Sequence, residues 1–159
     1  MGTVLIRPPG HRRDVVLRPA ATAMVWIGEG QLHETIAVPG VSLADDDVLV
    51  AVEMSTICAD DLAAAHGTRP GSAPRVPGHE SVGRVIALGD HGALTVDGTP
   101  LRIGDRVVWS TTIACGACEH CADGFTQNCT NGSRYGEERI GMHGELGGTF
   151  GTHVQLRRG

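Results

Sequence analysis

Four cysteines lie within one short segment of the chain, and they constrain its fold more than any other feature. Cys115, Cys118, Cys121 and Cys129 follow the spacing C-x2-C-x2-C-x7-C. Four thiolates this close in sequence can surround one tetrahedral ion inside a single loop, and zinc has no geometric preference that opposes this. A closed four-thiolate site is structural rather than catalytic, and its metal contributes directly to folding. The spacing therefore predicts a structural zinc site.

Other roles for these cysteines fit the sequence less well. Two disulfides need an oxidising compartment, and arginines interrupt the N-terminal segment where a signal peptide would need an apolar run. A redox Cys-x-x-Cys pair accounts for only two of the four cysteines. An iron–sulfur cluster is the closer rival, because the first three spacings match the bacterial ferredoxin run, but there the fourth cysteine precedes proline. Here Cys129 precedes Thr130, after a longer gap.

The composition limits the classes of protein that the chain can belong to. Its 159 residues, 41% of them hydrophobic, are enough for one domain with its own core. The 23 glycines and the 3% aromatic content favour short strands and turns over long helices. A net charge of -5 without a basic face argues against a nucleic-acid partner. No apolar stretch approaches the roughly 20 residues that span a bilayer, so we expect no membrane partner and a cytoplasmic location.

Apolar runs separated by glycine and proline predict a mainly β domain with one or two short helices. Pro39-Gly40 is expected to end the strand over residues 32–38, and Asp97-Gly98 is expected to form the turn of a hairpin between Thr95 and Leu101. Alanines and an acidic first turn predict the main helix over 60–66. Residues 1–22 are expected to form an N-terminal arm and residues 23–159 the domain. The expected strands cover residues 3–6, 15–17, 24–27, 32–38, 48–54, 81–88, 106–109 and 150–156.

A second set of metal-ligand residues lies outside the cysteine segment. Cys58 follows one expected strand, and His79, in Gly78-His79-Glu80, precedes another. A thiolate and an imidazole from two strand ends could meet at one ion, and a third ligand with an open position would make a catalytic zinc site. Taken singly, a lone cysteine is usually a small buried hydrophobe and a lone loop histidine is usually solvated. The spacing alone leaves both interpretations open.

Three blocks of the sequence resemble the N-terminal, GroES-like catalytic domain of the zinc-dependent medium-chain alcohol dehydrogenases. They are Ile57-Cys58-Ala59-Asp60-Asp61, then Gly78-His79-Glu80-Ser81-Val82-Gly83-Arg84-Val85 with Gly89 behind it, then Gly104-Asp105-Arg106-Val107 running on to the four cysteines. Gly147-Gly148-Thr149-Phe150 resembles the glycine-led turn that follows the cysteine segment. The blocks occur in the family's order, and the resemblance implies a partly open, GroES-like β-barrel with a zinc-binding cysteine lobe.

The resemblance also implies a chemistry for the second set of residues. Cys58 and His79 would bind the catalytic zinc, Glu80 would be a neighbouring carboxylate or exchanging ligand, and Asp61 would orient the site. Zinc would act as a Lewis acid on an alcohol or carbonyl, while hydride moves to or from a nicotinamide, either NAD or NADP. A small alcohol or polyol as substrate and a homo-oligomeric complete enzyme are implied as well.

The chain departs from the family's pattern in two ways. Asp60 stands where the family commonly has Ser or Thr, whose hydroxyl passes the alcohol proton towards solvent. A carboxylate there could act as a general base, crowd the metal as a ligand, or simply be an acid in the first turn of a helix.

The second departure concerns the nucleotide. No G-x-G-x-x-G opens a helix after a strand, so we expect the nucleotide-binding domain to be absent from this chain. The resemblance implies that the family's third ligand of the catalytic zinc is also absent, so that this zinc site is expected to be incomplete. The chain alone is then expected to be inactive. A different class of function, a non-enzymatic zinc-stabilised β module that binds a partner, stays open but leaves Cys58, His79 and Glu80 unexplained.

Overall fold

Strands make up most of the regular structure in the computed structural model, which describes residues 12–31, 33–68, 71–142 and 144–157. The elements in chain order are β1 (Arg13–Val25), β2 (Glu34–Leu43), β3 (Val48–Ser55), α1 (Ala59–Ala65), β4 (Ser81–Leu88), β5 (Arg106–Val108), β6 (Thr112–Ile113), α2 (Glu119–Ala122), a 3₁₀ turn (Thr126–Asn128), β7 (Ser133–Arg134) and β8 (His153–Leu156). The predicted mainly β class with short helices is confirmed. Within the described residues the strands form separate sheets rather than a closed barrel.

The first sheet is the antiparallel pair of β1 and β2. Val16 pairs with Gly40, and the next recorded pair is Ala21 with Val38. The register therefore shifts between them, with four residues of β1 (17–20) opposite Pro39 alone. Because proline has no N–H to donate, such an irregularity is where a ladder tolerates it. The expectation that Pro39-Gly40 would end the strand was therefore wrong, and β2 continues to Leu43.

β1 is one strand, although the sequence predicted separate strands at 15–17 and 24–27. Alternation resumes after the irregularity, so that Leu17, Ala21, Ala23 and Val25 all face the same core. The predicted arm of residues 1–22 therefore ends inside β1, and where the domain begins stays a prediction. The strand expected over residues 3–6 lies outside the described residues.

The second sheet has the order β5-β4-β3-β8, and all of its strand pairs are antiparallel. Val48 and Val50 of β3 pack against Val85 and Val154 in its core. The last strand begins at His153 rather than Phe150, because the residues before it bond to β1 instead. Met24 N–H donates to the Phe150 carbonyl at 2.7 Å. These bonds tie the two sheets together.

The connections carry one predicted turn and one unpredicted strand pair. Thr95 N–H donates to the Thr99 carbonyl at 2.9 Å, and Gly98 takes a φ of +83°, so the expected hairpin turn is confirmed. β6 and β7 pair across the base of the cysteine segment. Two-residue strands have no detectable periodicity, which is why the sequence did not predict them. No helix among the described residues is long and apolar enough to cross a membrane.

Candidate metal centres

The four cysteines of the lobe bring their sulfurs together. All four Sγ atoms lie within 4.8 Å of one another, and the Sγ atoms of Cys118 and Cys129 are 3.8 Å apart. A tetrahedral ion with metal–sulfur bonds of about 2.3 Å requires sulfur–sulfur separations of about 3.8 Å. A disulfide would need about 2.05 Å, and all five cysteines of the chain are free. The donor set and its spacing fit a single zinc ion.

Backbone N–H groups point at these sulfurs. Cys115 N–H donates to Cys129 Sγ at 3.2 Å and lowers the pKa of Cys129. The N–H groups of Thr130 and Cys121 lower the pKa of Cys118 to about 5. Desolvation and the neighbouring thiols raise the pKa of Cys121 to about 12. Of these thiols Cys121 is the one whose pKa is raised, and a bound cation would stabilise its thiolate.

Cys58 and His79 form a second candidate centre where two chain segments meet. Cys58 is the N-cap residue of α1, and its N–H donates to Asp61 Oδ2 at 2.9 Å. Cys58 Sγ lies 3.5 Å from His79 Nε2. Cys58 Sγ, a ring nitrogen of His79 and a carboxylate oxygen of Asp61 all lie within 4.8 Å of one another. A tetrahedral zinc ion bound by one sulfur and one imidazole nitrogen would hold those atoms about 3.6 Å apart. This donor set also fits zinc.

The electrostatics around Cys58 favour its thiol over its thiolate. Desolvation is the main cause of its raised pKa, and the negative charge of Asp61 adds to the rise. The backbone N–H groups of Asp61 and Asp60 donate towards the sulfur and oppose that rise. A metal ion at this position would reverse the balance, because a coordinating thiol is deprotonated outright.

A glycine determines where His79 lies. Gly78 has a φ of +90°, and a Cβ there would stand 2.5 Å from both Phe150 Cδ1 and Thr149 Oγ1. Thr149 N–H donates to the Gly78 carbonyl at 3.0 Å. Gly136, just after β7, also packs against the Gly78 backbone. Segments from both sides of the cysteine lobe thus press against the residue that precedes His79.

The remaining predicted site residues lie near this centre but outside the ligand group. Glu80 Oε2 accepts a hydrogen bond from Thr56 Oγ1 at 2.7 Å, and among the described residues the group of possible ligands is Cys58, Asp61 and His79. Asp60 lies exposed in the first turn of α1. Sequence reasoning did not single out Thr56. Only the pairing of β3 with β4 indicates that it faces Glu80.

Comparisons with known proteins show which family the sequence resembles. Residues 44–158 match the family model described as the alcohol dehydrogenase GroES-like domain. An uncharacterized zinc-type alcohol dehydrogenase-like protein of Haemophilus influenzae is 43% identical over 93 residues, which cover 58% of this chain and 26% of that protein. D-altritol 5-dehydrogenase of Agrobacterium fabrum is 32% identical over 117 residues, which cover 73% of this chain and 33% of the enzyme.

Solved structures give the same result. The alcohol dehydrogenase of Thermus sp. ATN1 superposes with a TM-score of 0.67 at 32% identity, covering 85% of this chain and 37% of that one. An alcohol dehydrogenase of Thermotoga maritima superposes with a TM-score of 0.72 at 27% identity, covering 86% of this chain and 38% of that one. The chain thus spans from 26% to 38% of the length of these four proteins.

Proposed function

Since this chain belongs to the family of alcohol dehydrogenase GroES-like domains, we propose that it is the catalytic-domain portion of a zinc-dependent dehydrogenase. The reaction would be hydride transfer between an alcohol and a nicotinamide cofactor. The observation that carries this proposal is the Cys58–His79 pair, whose ligand atoms lie 3.5 Å apart with Asp61 beside them. A thiolate, an imidazole and an open position are the ingredients of a catalytic rather than a structural zinc site.

The proposed roles of the chain's own residues follow from their contacts. Cys58 and His79 would hold the ion, and zinc, when bound, would polarise the C–O group of the substrate as a Lewis acid. Asp61 fixes the Cys58 backbone through the 2.9 Å bond at the start of α1. The backbone bond from Thr56 N–H to the Glu80 carbonyl, at 3.0 Å, holds the two ligand-bearing segments side by side. Asp60, exposed in the first turn of α1, remains a candidate general base.

The cysteine lobe would have a separate, structural role. Cys115, Cys118, Cys121 and Cys129 would close around a second zinc ion with no position left for substrate. The supporting observations are the 3.8 Å separation of Cys118 Sγ from Cys129 Sγ and the backbone N–H bond that Cys129 Sγ accepts. In this lobe zinc would stabilise the fold and take no part in the reaction.

We propose a small alcohol or polyol as the substrate, with NAD or NADP as the hydride carrier. A polyol is in keeping with the name of the relative that acts on D-altritol. Ile57 and Leu62 flank the centre with 70% and 53% of their surface exposed, so they could contact the carbon skeleton of a substrate or a neighbouring surface. Oxidation of the alcohol would give the carbonyl product, the reduced nicotinamide and one released proton.

Metal content tests the proposal directly. Zinc and iron per chain would be measured by mass spectrometry on the purified protein, on His79→Ala and on His91→Ala. Asp61, beside Cys58 and His79, can serve as the third ligand within this chain, so with zinc supplied in excess we expect two zinc ions in the wild-type chain and one in His79→Ala. His91→Ala is the matched control, because the His91 side chain is 70% exposed and lies beside Asp45 and Asp46, away from the predicted ligands. It should keep both ions.

Other outcomes would count against the proposal. One zinc ion in both the wild-type chain and His79→Ala would contradict the catalytic centre and favour a non-enzymatic zinc-stabilised module. Iron in place of zinc would contradict the assignment of the cysteine lobe. Circular dichroism of each variant would verify that a lost ion reflects a lost ligand rather than an unfolded chain.

A further inference from the structure

Thr56 precedes the candidate ligand Cys58 by two residues, and Glu80 directly follows the candidate ligand His79. The β3–β4 ladder ends with Ser55 opposite Ser81, and the bond from Thr56 N–H to the Glu80 carbonyl extends it by one more pair. Directly opposed side chains of an antiparallel pair have their Cβ atoms about 5 Å apart. The Thr56 hydroxyl therefore reaches the Glu80 side chain, and Thr56 Oγ1 donates to Glu80 Oε2 at 2.7 Å.

This side-chain bond is not needed to keep the two segments together. The backbone bond between Thr56 and Glu80 already joins them, and Ser55 Oγ donates to the same Glu80 carbonyl at 3.3 Å. What the threonine hydroxyl adds is control over where the Glu80 carboxylate lies. In the described part of the chain that carboxylate is outside the group formed by Cys58, Asp61 and His79.

The Glu80 carboxylate is one residue from His79, so it could bind the same metal ion. Carboxylate oxygens are among the ligands that zinc takes in proteins, and a catalytic site needs one position that no protein group fills. A hydroxyl donor to a carboxylate makes a charge-assisted hydrogen bond, which is stronger than a neutral one. Thr56 is thus placed to keep Glu80 from taking the open position.

We propose that Thr56 is a positioning residue that holds the Glu80 carboxylate away from the ion bound by Cys58 and His79. The inference rests on the function proposed above, because it needs a metal at that centre. Removing the hydroxyl would free the carboxylate to become an additional ligand. The chain would then hold its metal more tightly, while the position that substrate needs would be closed.

Zinc-release kinetics test this inference without an activity assay. The zinc-loaded chain would be mixed with a colorimetric chelator, and release from the Cys58–His79 centre would be identified as the phase that is missing in His79→Ala. Thr56→Val, which removes the hydroxyl at nearly constant volume, should slow this phase about tenfold, the effect of about 1.4 kcal/mol from one additional ligand bond. Thr56→Ser keeps a hydroxyl and should release zinc at the wild-type rate.

The same substitution made in a Glu80→Ala chain shows whether Thr56 acts through Glu80. In Glu80→Ala the carboxylate is gone, so adding Thr56→Val should leave the release rate unchanged. The visible spectrum of the cobalt-loaded chain gives an independent measure, because its bands should change with ligand number in Thr56→Val and not in Thr56→Ser.

Two results would overturn the inference while leaving the proposed function intact. One is a Thr56→Val chain that releases zinc from this centre at the wild-type rate or faster. The other is a Thr56→Val effect of equal size with and without Glu80, which would mean that threonine only supports the local fold. If instead His79→Ala removes no phase at all, the centre itself is absent, and both the inference and the proposed function fail.

Discussion

At the residue scale, the position of His79 depends on glycines that allow close backbone approach. A Cβ on Gly148 would stand 1.9 Å from the Val76 carbonyl oxygen and 2.5 Å from that of Pro77. The segment 76–78 leads directly into His79, so the approach of Gly148 fixes the backbone that carries the imidazole. The adjacent Gly147 differs, because a Cβ there would meet nothing within 4 Å.

These neighbouring glycines give a matched pair of variants. We expect Gly148→Ala to lower the free energy of unfolding by about 1–3 kcal/mol, because the new methyl group overlaps rigid backbone atoms. Gly147→Ala should change it by less than about 0.5 kcal/mol. Chemical denaturation of both variants measures the difference. Equal effects would mean that the close approach of residue 148 to residues 76 and 77 does not matter for stability.

At the element scale, the cysteine lobe has little to hold it together besides its sulfurs. α2 spans four residues and the 3₁₀ turn three, and neither contains a buried residue. β6 and β7 contribute two residue pairs at the base of the lobe. Elements this short are not stable alone, so the structural zinc proposed for this lobe would supply most of its stability.

Metal removal should therefore unfold the lobe before the sheets. After treatment with a strong chelator, we expect amide hydrogen exchange to speed up by orders of magnitude between residues 115 and 130. β3 and β4 should stay protected, because their core residues Val50 and Val85 are fully buried. Hydrogen-exchange mass spectrometry with and without chelator makes the comparison. Unchanged exchange in the lobe would contradict a structural metal there.

At the scale of the whole molecule, the buried residues of β1 share one hydrophobic core with residues of β2, β3 and β4. Leu17 is 8% exposed and packs in a cluster with Val41, Leu43 and Leu49. Val16, its neighbour on the opposite face of the strand, is 69% exposed. We therefore predict that the domain begins before residue 17, within the expected arm of residues 1–22.

The arm prediction can be tested with these two neighbours. Leu17→Ala should destabilise the whole chain by about 2–5 kcal/mol, because it leaves a cavity in the shared core. Val16→Ala should cost about 0.5 kcal/mol or less. Thermal unfolding monitored on both sheets would show a single lowered transition for Leu17→Ala. A separable arm would instead leave the melting temperature of both variants at the wild-type value.

The sequence by itself determined whatever depends on near neighbours in the chain. The strands around residues 48–54 and 81–88 and the helix after Cys58 could be predicted because hydrophobic alternation, alanine content and an acidic first turn act within a few residues. The cysteine spacing likewise indicated a single ion, since all four ligands lie in one loop whose own turns bring them together.

Tertiary structure decided whatever depends on register between distant segments. It made β1 one continuous strand and allowed β2 to continue past Pro39. Both strands stay paired because the ladder contains a single register shift, where residues 17–20 of β1 lie opposite Pro39. It also placed Asp61 rather than Glu80 in the ligand group with Cys58 and His79. The Glu80 carboxylate instead accepts a hydrogen bond from Thr56, the residue that follows β3. Side chains that are adjacent in sequence can diverge, and side chains more than twenty residues apart can meet, because strand pairing fixes their distances and local patterns do not.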